Sequence, residues 1–165
     1  NAALAAVYAL KQDNINKVAI FDWDVHHGNG TQHIVQSTPD IAYVSIHEFP
    51  FYPGTGSQME KGDYENVLNI PIPSGYNSHE YRKRFDEEVL PFIQGYQLDL
   101  LIISAGFDAH SNDPLAGINL ATEDYGYMTK CCREIQSNLL LGLEGGYDLE
   151  ALGDCCVAVG RELIS

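Results

Sequence analysis

Val18-Ala19-Ile20-Phe21-Asp22-Trp23-Asp24-Val25-His26-His27-Gly28-Asn29-Gly30 passes from an apolar, strand-forming run into acids, histidines and glycines. The run from Val18 to Phe21 has no polar alternation and reads as a buried strand. Side chains alternate along extended backbone, so Asp22, Asp24 and His26 are expected on one side if the strand persists. Two carboxylates and an imidazole gathered at a strand's carboxyl end are costly to bury unless a cation pairs with them. Asp/His ligation suits zinc or a similar divalent ion. The alternative is a polar loop whose charges are simply solvated.

Outward from this stretch the chain alternates between helical and extended patterns. Upstream, Asn1 to about Gln12 is rich in Ala and Leu and predicts a helix packed on a core. Downstream, Thr31 to Gln36 reads as a short helix and Ile41 to Ile46 as a second apolar strand. The long connection from His47 to Tyr64 carries Phe49, Phe51 and Tyr52, and loops of that length are usually functional. Val67 to Ile70 predicts a third strand, with Pro71 to Gly75 as punctuation. Ser78 is expected to cap a helix reaching Gly95, its last turn weakened by Pro91. Leu98 to Ser104 and Leu139 to Leu143 complete the strands. Helices are expected from Thr122 and from Tyr147 or Asp148 to about Leu163.

This alternation predicts an α/β fold with a mostly parallel sheet buried on both faces, in one domain over residues 1–165. A net charge of −14 argues against a nucleic-acid face, which needs clustered Lys and Arg. No apolar run approaches membrane-spanning length. The adjacent pairs Cys131-Cys132 and Cys155-Cys156 lie in helical segments without CxxC spacing, so buried, reduced thiols in a cytoplasmic protein are expected.

Three strands end in polar clusters: Asp22/Asp24/His26, Asp108/His110 and Glu144 to Tyr147. In parallel α/β folds ligands gather at the carboxyl ends of strands. Asp24, His26 and Asp108 offer three oxygen or nitrogen ligands and leave positions open for water, as a catalytic zinc ion requires. Gly145 and Gly146 let backbone approach a substrate, and the Tyr147 phenol can donate to a developing oxyanion. Together these features describe hydrolysis of an acyl bond. Packing or turn roles are the readings for His27, for His33 and His79 on helix surfaces, and for Asp113 before Pro114; His47 and His110 take no assigned role.

FDWDVHHGNGTQ, SIHEFPFYPGTG, LIISAGFDAHSNDPLAG and LEGGYDLEAL, in this order, resemble the zinc-dependent histone deacetylase family. The class II-like branch and its prokaryotic relatives, including acetylpolyamine amidohydrolases, fit best, and the resemblance covers essentially the whole chain. It implies a three-layer αβα, arginase/deacetylase-like fold, incomplete at the N-terminus. It implies Asp24, His26 and Asp108 as metal ligands, and Tyr147 as the tyrosine that polarises the amide carbonyl. Asp22 then orients a catalytic histidine and, with Asp24 and Ser45, holds a structural potassium ion. Tyr52 forms a wall of the acyl-lysine tunnel and Gly145 its floor, with Gly146 beside it; Asn29 marks the class II-like branch.

The implied activity is metal-dependent removal of an acetyl or other acyl group from a lysine side chain. The alternatives are acetylpolyamines or other small amides as substrates, or a catalytically incompetent metal-binding scaffold. Zinc is the implied ion, with ferrous iron acceptable to the same ligands. The implied partners are an acetylated protein or polyamine, with neither nucleic acid nor membrane, in a cytoplasmic, prokaryote-like setting or in a nucleus if the source is eukaryotic. The family's general-base histidine pair stands in a Gly-His-His segment upstream of the first matched helix, which this chain does not contain. The chain by itself is therefore expected to bind metal imperfectly, to turn over little, and to self-associate through an uncovered sheet edge.

Overall fold

The computed structural model describes residues 1–164. Five strands form one all-parallel sheet: β1 (Val18–Asp22), β2 (Ile41–Glu48), β3 (Val67–Ile72), β4 (Leu100–Ala105) and β5 (Leu139–Leu143). Their spatial order is β3-β2-β1-β4-β5. After β1 the chain builds outward through β2 and β3, then returns to lay β4 on the other side of β1. The order reverses between β1 and β4, and a crevice opens beyond strand ends at such a reversal.

Alternation along each strand feeds two cores. Val18 and Ile20 of β1 point into a cluster with Tyr43 and with Ala2, Ala3 and Ala6 of α1 (Ala2–Ala9), while α2 (Asn29–Val35) adds Val35. Ala19 and Phe21 point the other way, into a larger cluster with Phe85, Val89, Ile93, Tyr125 and Met128. Those residues come from helices on the opposite face: α3 (Ser78–Arg84), a π turn over Phe85–Val89, α4 (Leu90–Gly95), α5 (Thr122–Ile135) and α6 (Leu149–Ile164). The result is three layers, αβα, as expected.

Several local expectations are corrected. The first helix stops at Ala9, ahead of the Asp13-Asn14 break. β3 runs through Pro71 to Ile72, because it is an edge strand and a proline there gives up no interior ladder bond. β2 extends to Glu48, so His47 lies in a strand and the long connection begins at Phe49. Asn77, not Ser78, caps α3: its Oδ1 accepts the His79 N–H at 2.9 Å and the Glu80 N–H at 3.2 Å. Pro91 does not break the helical run; the π turn just before it widens the backbone where the ring would crowd a preceding carbonyl. The last helix starts at Leu149, with Asp148 Oδ1 accepting the Ala151 N–H at 2.8 Å. Of the four free cysteines, Cys132 and Cys155 are buried, Cys131 is half-buried and Cys156 is exposed. Adjacent helical residues face about 100° apart, so both members of a pair cannot share the core face.

Candidate metal centre

β1 and β4 deliver their polar ends to the crevice between them. The chain leaves β1 in a bend rather than as further strand, with the Trp23 N–H donating to Ser104 O at 3.2 Å. That bend separates residues that an extended strand would have kept together. Asp22 stays beneath the surface, 2 % exposed, where its Oδ2 accepts the Tyr43 hydroxyl at 3.0 Å and its Oδ1 the Asp24 N–H at 3.2 Å. Asp24 and His26 turn outward and meet Asp108, and the nearest ligand atoms of the three lie within 4.8 Å of one another.

His26 Nδ1 lies 3.0 Å from Asp24 Oδ1 and 3.1 Å from Asp108 Oδ2. One ring nitrogen carries at most one hydrogen, and Asp108 Oδ2 is buried with no hydrogen directed at it. Hydrogen bonding to Asp108 and then Asp24 pushes the His26 imidazole up to about 10 despite its burial. Burial raises the Asp108 carboxyl against the opposing pull of His26. For Asp24, burial also pushes upward, but hydrogen bonds from His26 and from the Gly145 backbone hold it below the usual range. Two acids and an imidazole facing one point, with a buried carboxylate oxygen unpaired, form a donor set that fits a divalent cation.

The backbone fixes this set. Asp108 Oδ1 accepts the Val25 N–H at 2.9 Å, and Asp24 Oδ2 accepts the Gly145 N–H at 3.0 Å. A Cβ on Gly145 would strike Asp108 Oδ2 and stand 2.8 Å from Asp24 Oδ2; one on Gly106 would strike Asp24 Oδ2. Gly106, unassigned by sequence reading, is therefore as tightly constrained as Gly145. Gly146 instead packs toward Phe107 and Leu152, away from the carboxylates.

Around the centre, Phe51 stacks on the His26 ring at 5.3 Å between centroids, and Tyr52, three-quarters exposed, meets it edge-on at 6.1 Å. Phe51 was not singled out in the sequence. The Tyr147 side chain is 55 % exposed; slight desolvation and the charges of Asp108, Asp24 and Asp113 raise its phenol. Asp113 does more than fix its own turn: its Oδ2 accepts the Tyr147 N–H at 2.7 Å, tying the loop after β4 to the loop after β5. The Asp-Pro dipeptide signalled only the turn.

Ser45 lies opposite Asp22 in register, and its hydroxyl pairs with His47 Nδ1 at 2.9 Å. The Asp22 carboxyl is driven well up by burial and then by the Asp24 charge, a strain that a nearby cation relieves. His27 is packed, its two nitrogens at 2.8 Å from Thr55 Oγ1 and 2.9 Å from Gln32 Oε1. His47 is buried against it and bonded to the Gly56 carbonyl at 3.0 Å. His33 and His79 are exposed on their helices, and His110 bonds the Asn112 N–H at 3.1 Å. A polar hollow of about 230 Å³ opens beside the centre, lined by Asp22, Asp24, His26, His27, Ser104 and Glu144 among others. A larger groove of about 550 Å³ lies between α4 and α5, remote from these strand ends.

Residues 1–163 match the family described as the histone deacetylase domain. The chain belongs to the histone deacetylase family. It is 49% identical over 164 residues to the uncharacterized protein slr0245 of Synechocystis, covering 99% of this chain and 54% of that protein. It is 42% identical over 160 residues to histone deacetylase 10, chloroplastic, of rice, covering 92% of this chain and 36% of that one. The crystal structure of the HDA15 HD domain superposes with a TM-score of 0.94 at 37% identity, over 99% of this chain and 48% of that one. The structure of the deacetylase Clr3 gives 0.94 at 33% identity, over 98% of this chain and 29% of that one. The chain thus spans about half the length, or less, of the histone deacetylase relatives it matches. Among the described residues no helix is long and apolar enough to cross a membrane.

Proposed function

We propose that this chain supplies the metal-holding part of a deacetylase that hydrolyses the acyl amide of a lysine side chain. The observation that carries this reading is the convergence of Asp24, His26 and the unpaired Asp108 Oδ2 on one point at the sheet's switch of strand order. Zinc is the favoured ion, with ferrous iron acceptable to the same donors. When bound, such an ion supplies Lewis-acid polarisation of the carbonyl and acidification of a water.

The chain's own residues do the rest. Asp24, His26 and Asp108 hold the ion. Gly145 and Gly106 keep the space against the carboxylates free of β-carbons. Phe51 and Tyr52 wall the approach with apolar surface suited to an acyl-lysine stem. Tyr147, its backbone pinned by Asp113, donates its phenolic proton as a hydrogen bond to the developing oxyanion. Asp22 stands under Asp24 to orient a histidine and, with Asp24 and Ser45, to hold a structural potassium ion. The general base is a histidine outside this chain.

The test is Asp108→Ala in the full-length protein, read by elemental analysis and by deacetylation of an acetyl-lysine peptide. Loss of both stoichiometric zinc and turnover is expected; zinc retained at wild-type stoichiometry refutes the ligand set. A panel setting acetyl-lysine peptides against acetylpolyamines decides the substrate class.

A further inference from the structure

Asn66 lies on the loop that enters β3, at the end of the sheet opposite the metal centre, and is fully buried. Its Nδ2 meets three backbone carbonyls, those of Val35 at 3.1 Å, Thr38 at 3.1 Å and Ile41 at 2.8 Å. Val35 ends α2, Thr38 lies in the turn that follows, and Ile41 opens β2. A primary amide has two hydrogens, so three acceptors share them. At the other end of the same amide, Oδ1 is buried with no partner. Turning the amide over would set that oxygen against three carbonyl oxygens. The carbonyl cluster therefore dictates the orientation and leaves a buried acceptor unpaired, a penalty a fold accepts only where the opposite arrangement is worse.

Convergent backbone carbonyls are the donors that replace the hydration shell of a large monovalent cation. Oxygens 2.8–3.1 Å from the Asn66 nitrogen stand farther out than the ~2.3–2.6 Å that calcium uses, which excludes a tight divalent fit. The position also closes the carbonyl end of α2, where helix dipoles favour positive charge.

We propose that Asn66 is a built-in substitute for a monovalent cation, its amide filling a three-carbonyl cradle that binds potassium or ammonium when the amide is removed. Because the amide is tethered to β3, the α2–β2 turn is held without an ion. α2 begins directly after Gly28, so this clamp also fixes the far end of the helix that follows His26 and His27.

The test uses Asn66→Ala and Asn66→Asp in the full-length protein. The first empties the cradle; the second keeps the side-chain shape but sets a carboxylate oxygen among the carbonyls. Thermal melts are run at equal ionic strength in potassium, ammonium and choline chloride, with wild type as baseline for any other cation site. Rubidium binding is counted by equilibrium dialysis. Relative to wild type, the variants are expected to melt lower in choline and to regain about 3–6 °C in potassium or ammonium. One additional bound rubidium ion is expected in each. Variants that follow wild type in all three salts, that stay unfolded in every salt, or that bind no additional rubidium overturn the proposal.

Discussion

Replacing Gly145 by alanine tests whether the carboxylates of the candidate centre are held by excluded space. The added Cβ would strike Asp108 Oδ2 and stand 2.8 Å from Asp24 Oδ2, while real Cβ contacts essentially never fall below 3.0 Å. Both oxygens must retreat, and neither has slack. Asp108 is fully buried with its other oxygen on the Val25 N–H at 2.9 Å, and Asp24 Oδ2 is held by the Gly145 N–H itself. The ligand atoms therefore leave their positions by tenths of an ångström, on the scale to which such sites must be built. Disturbing the support of metal ligands typically weakens binding by about 10- to 100-fold. Competition for zinc against a chromophoric chelator, in the full-length protein, measures this directly. Gly142→Ala is the control, because it lies in the same strand with no atom within 4 Å of its added carbon. If Gly145→Ala binds zinc within about twofold of that control, the steric reasoning is wrong.

Tyr147→Phe removes only a half-exposed hydroxyl, so metal content should be intact while turnover falls ~100- to 1,000-fold; unchanged kcat in a deacetylation assay removes Tyr147 from the chemistry. His47 gives a pH signature. Burial, and then the neighbouring His27, push its imidazole down to about 4. The unfolded chain takes up that proton first, so the contribution is complete above pH ~6.5 and is lost as pH falls toward 4. The shift corresponds to about 3 kcal/mol. His27, likewise lowered, adds to the decline, and Glu60 faces the same cluster. His47→Gln should flatten the fall in urea-unfolding stability across that window; parallel curves for variant and wild type count against a buried neutral His47.

Strands β1, β2 and β4 were legible because each is a near-continuous apolar run, which in a sheet covered on both faces is what the packing demands. β3 was cut short in the reading because Pro71 looks like a terminator; that it lies on an edge strand is tertiary information. The three ligand types were legible at their strand ends, yet the reason they meet is the reversal of strand order between β1 and β4, which no local pattern contains. Asp22 separated from Asp24 because the chain bends after Asp22, and alternation holds only while backbone stays extended. Gly106, Phe51 and the bond from the Tyr147 backbone to Asp113 depend on contacts between distant segments, so composition and spacing carried no sign of them. Cys156 was placed inside because cysteine is usually buried, but its neighbour Cys155 already occupies the core-facing side of α6.

The two backbone bonds that hold the ligands reach far along the chain: Val25 to Asp108 spans 83 residues and Gly145 to Asp24 spans 121. Each carboxylate is thus braced by the turn of a different strand. During synthesis, Asp24 and His26 leave the ribosome long before the segment that restrains Asp24 exists. The centre cannot assemble until β4 and β5 have docked beside β1, and such long-range pairings are the slow ones to form. Metal capture therefore becomes a late checkpoint in the life of the chain, and a loaded ion certifies that the sheet has closed in the right order.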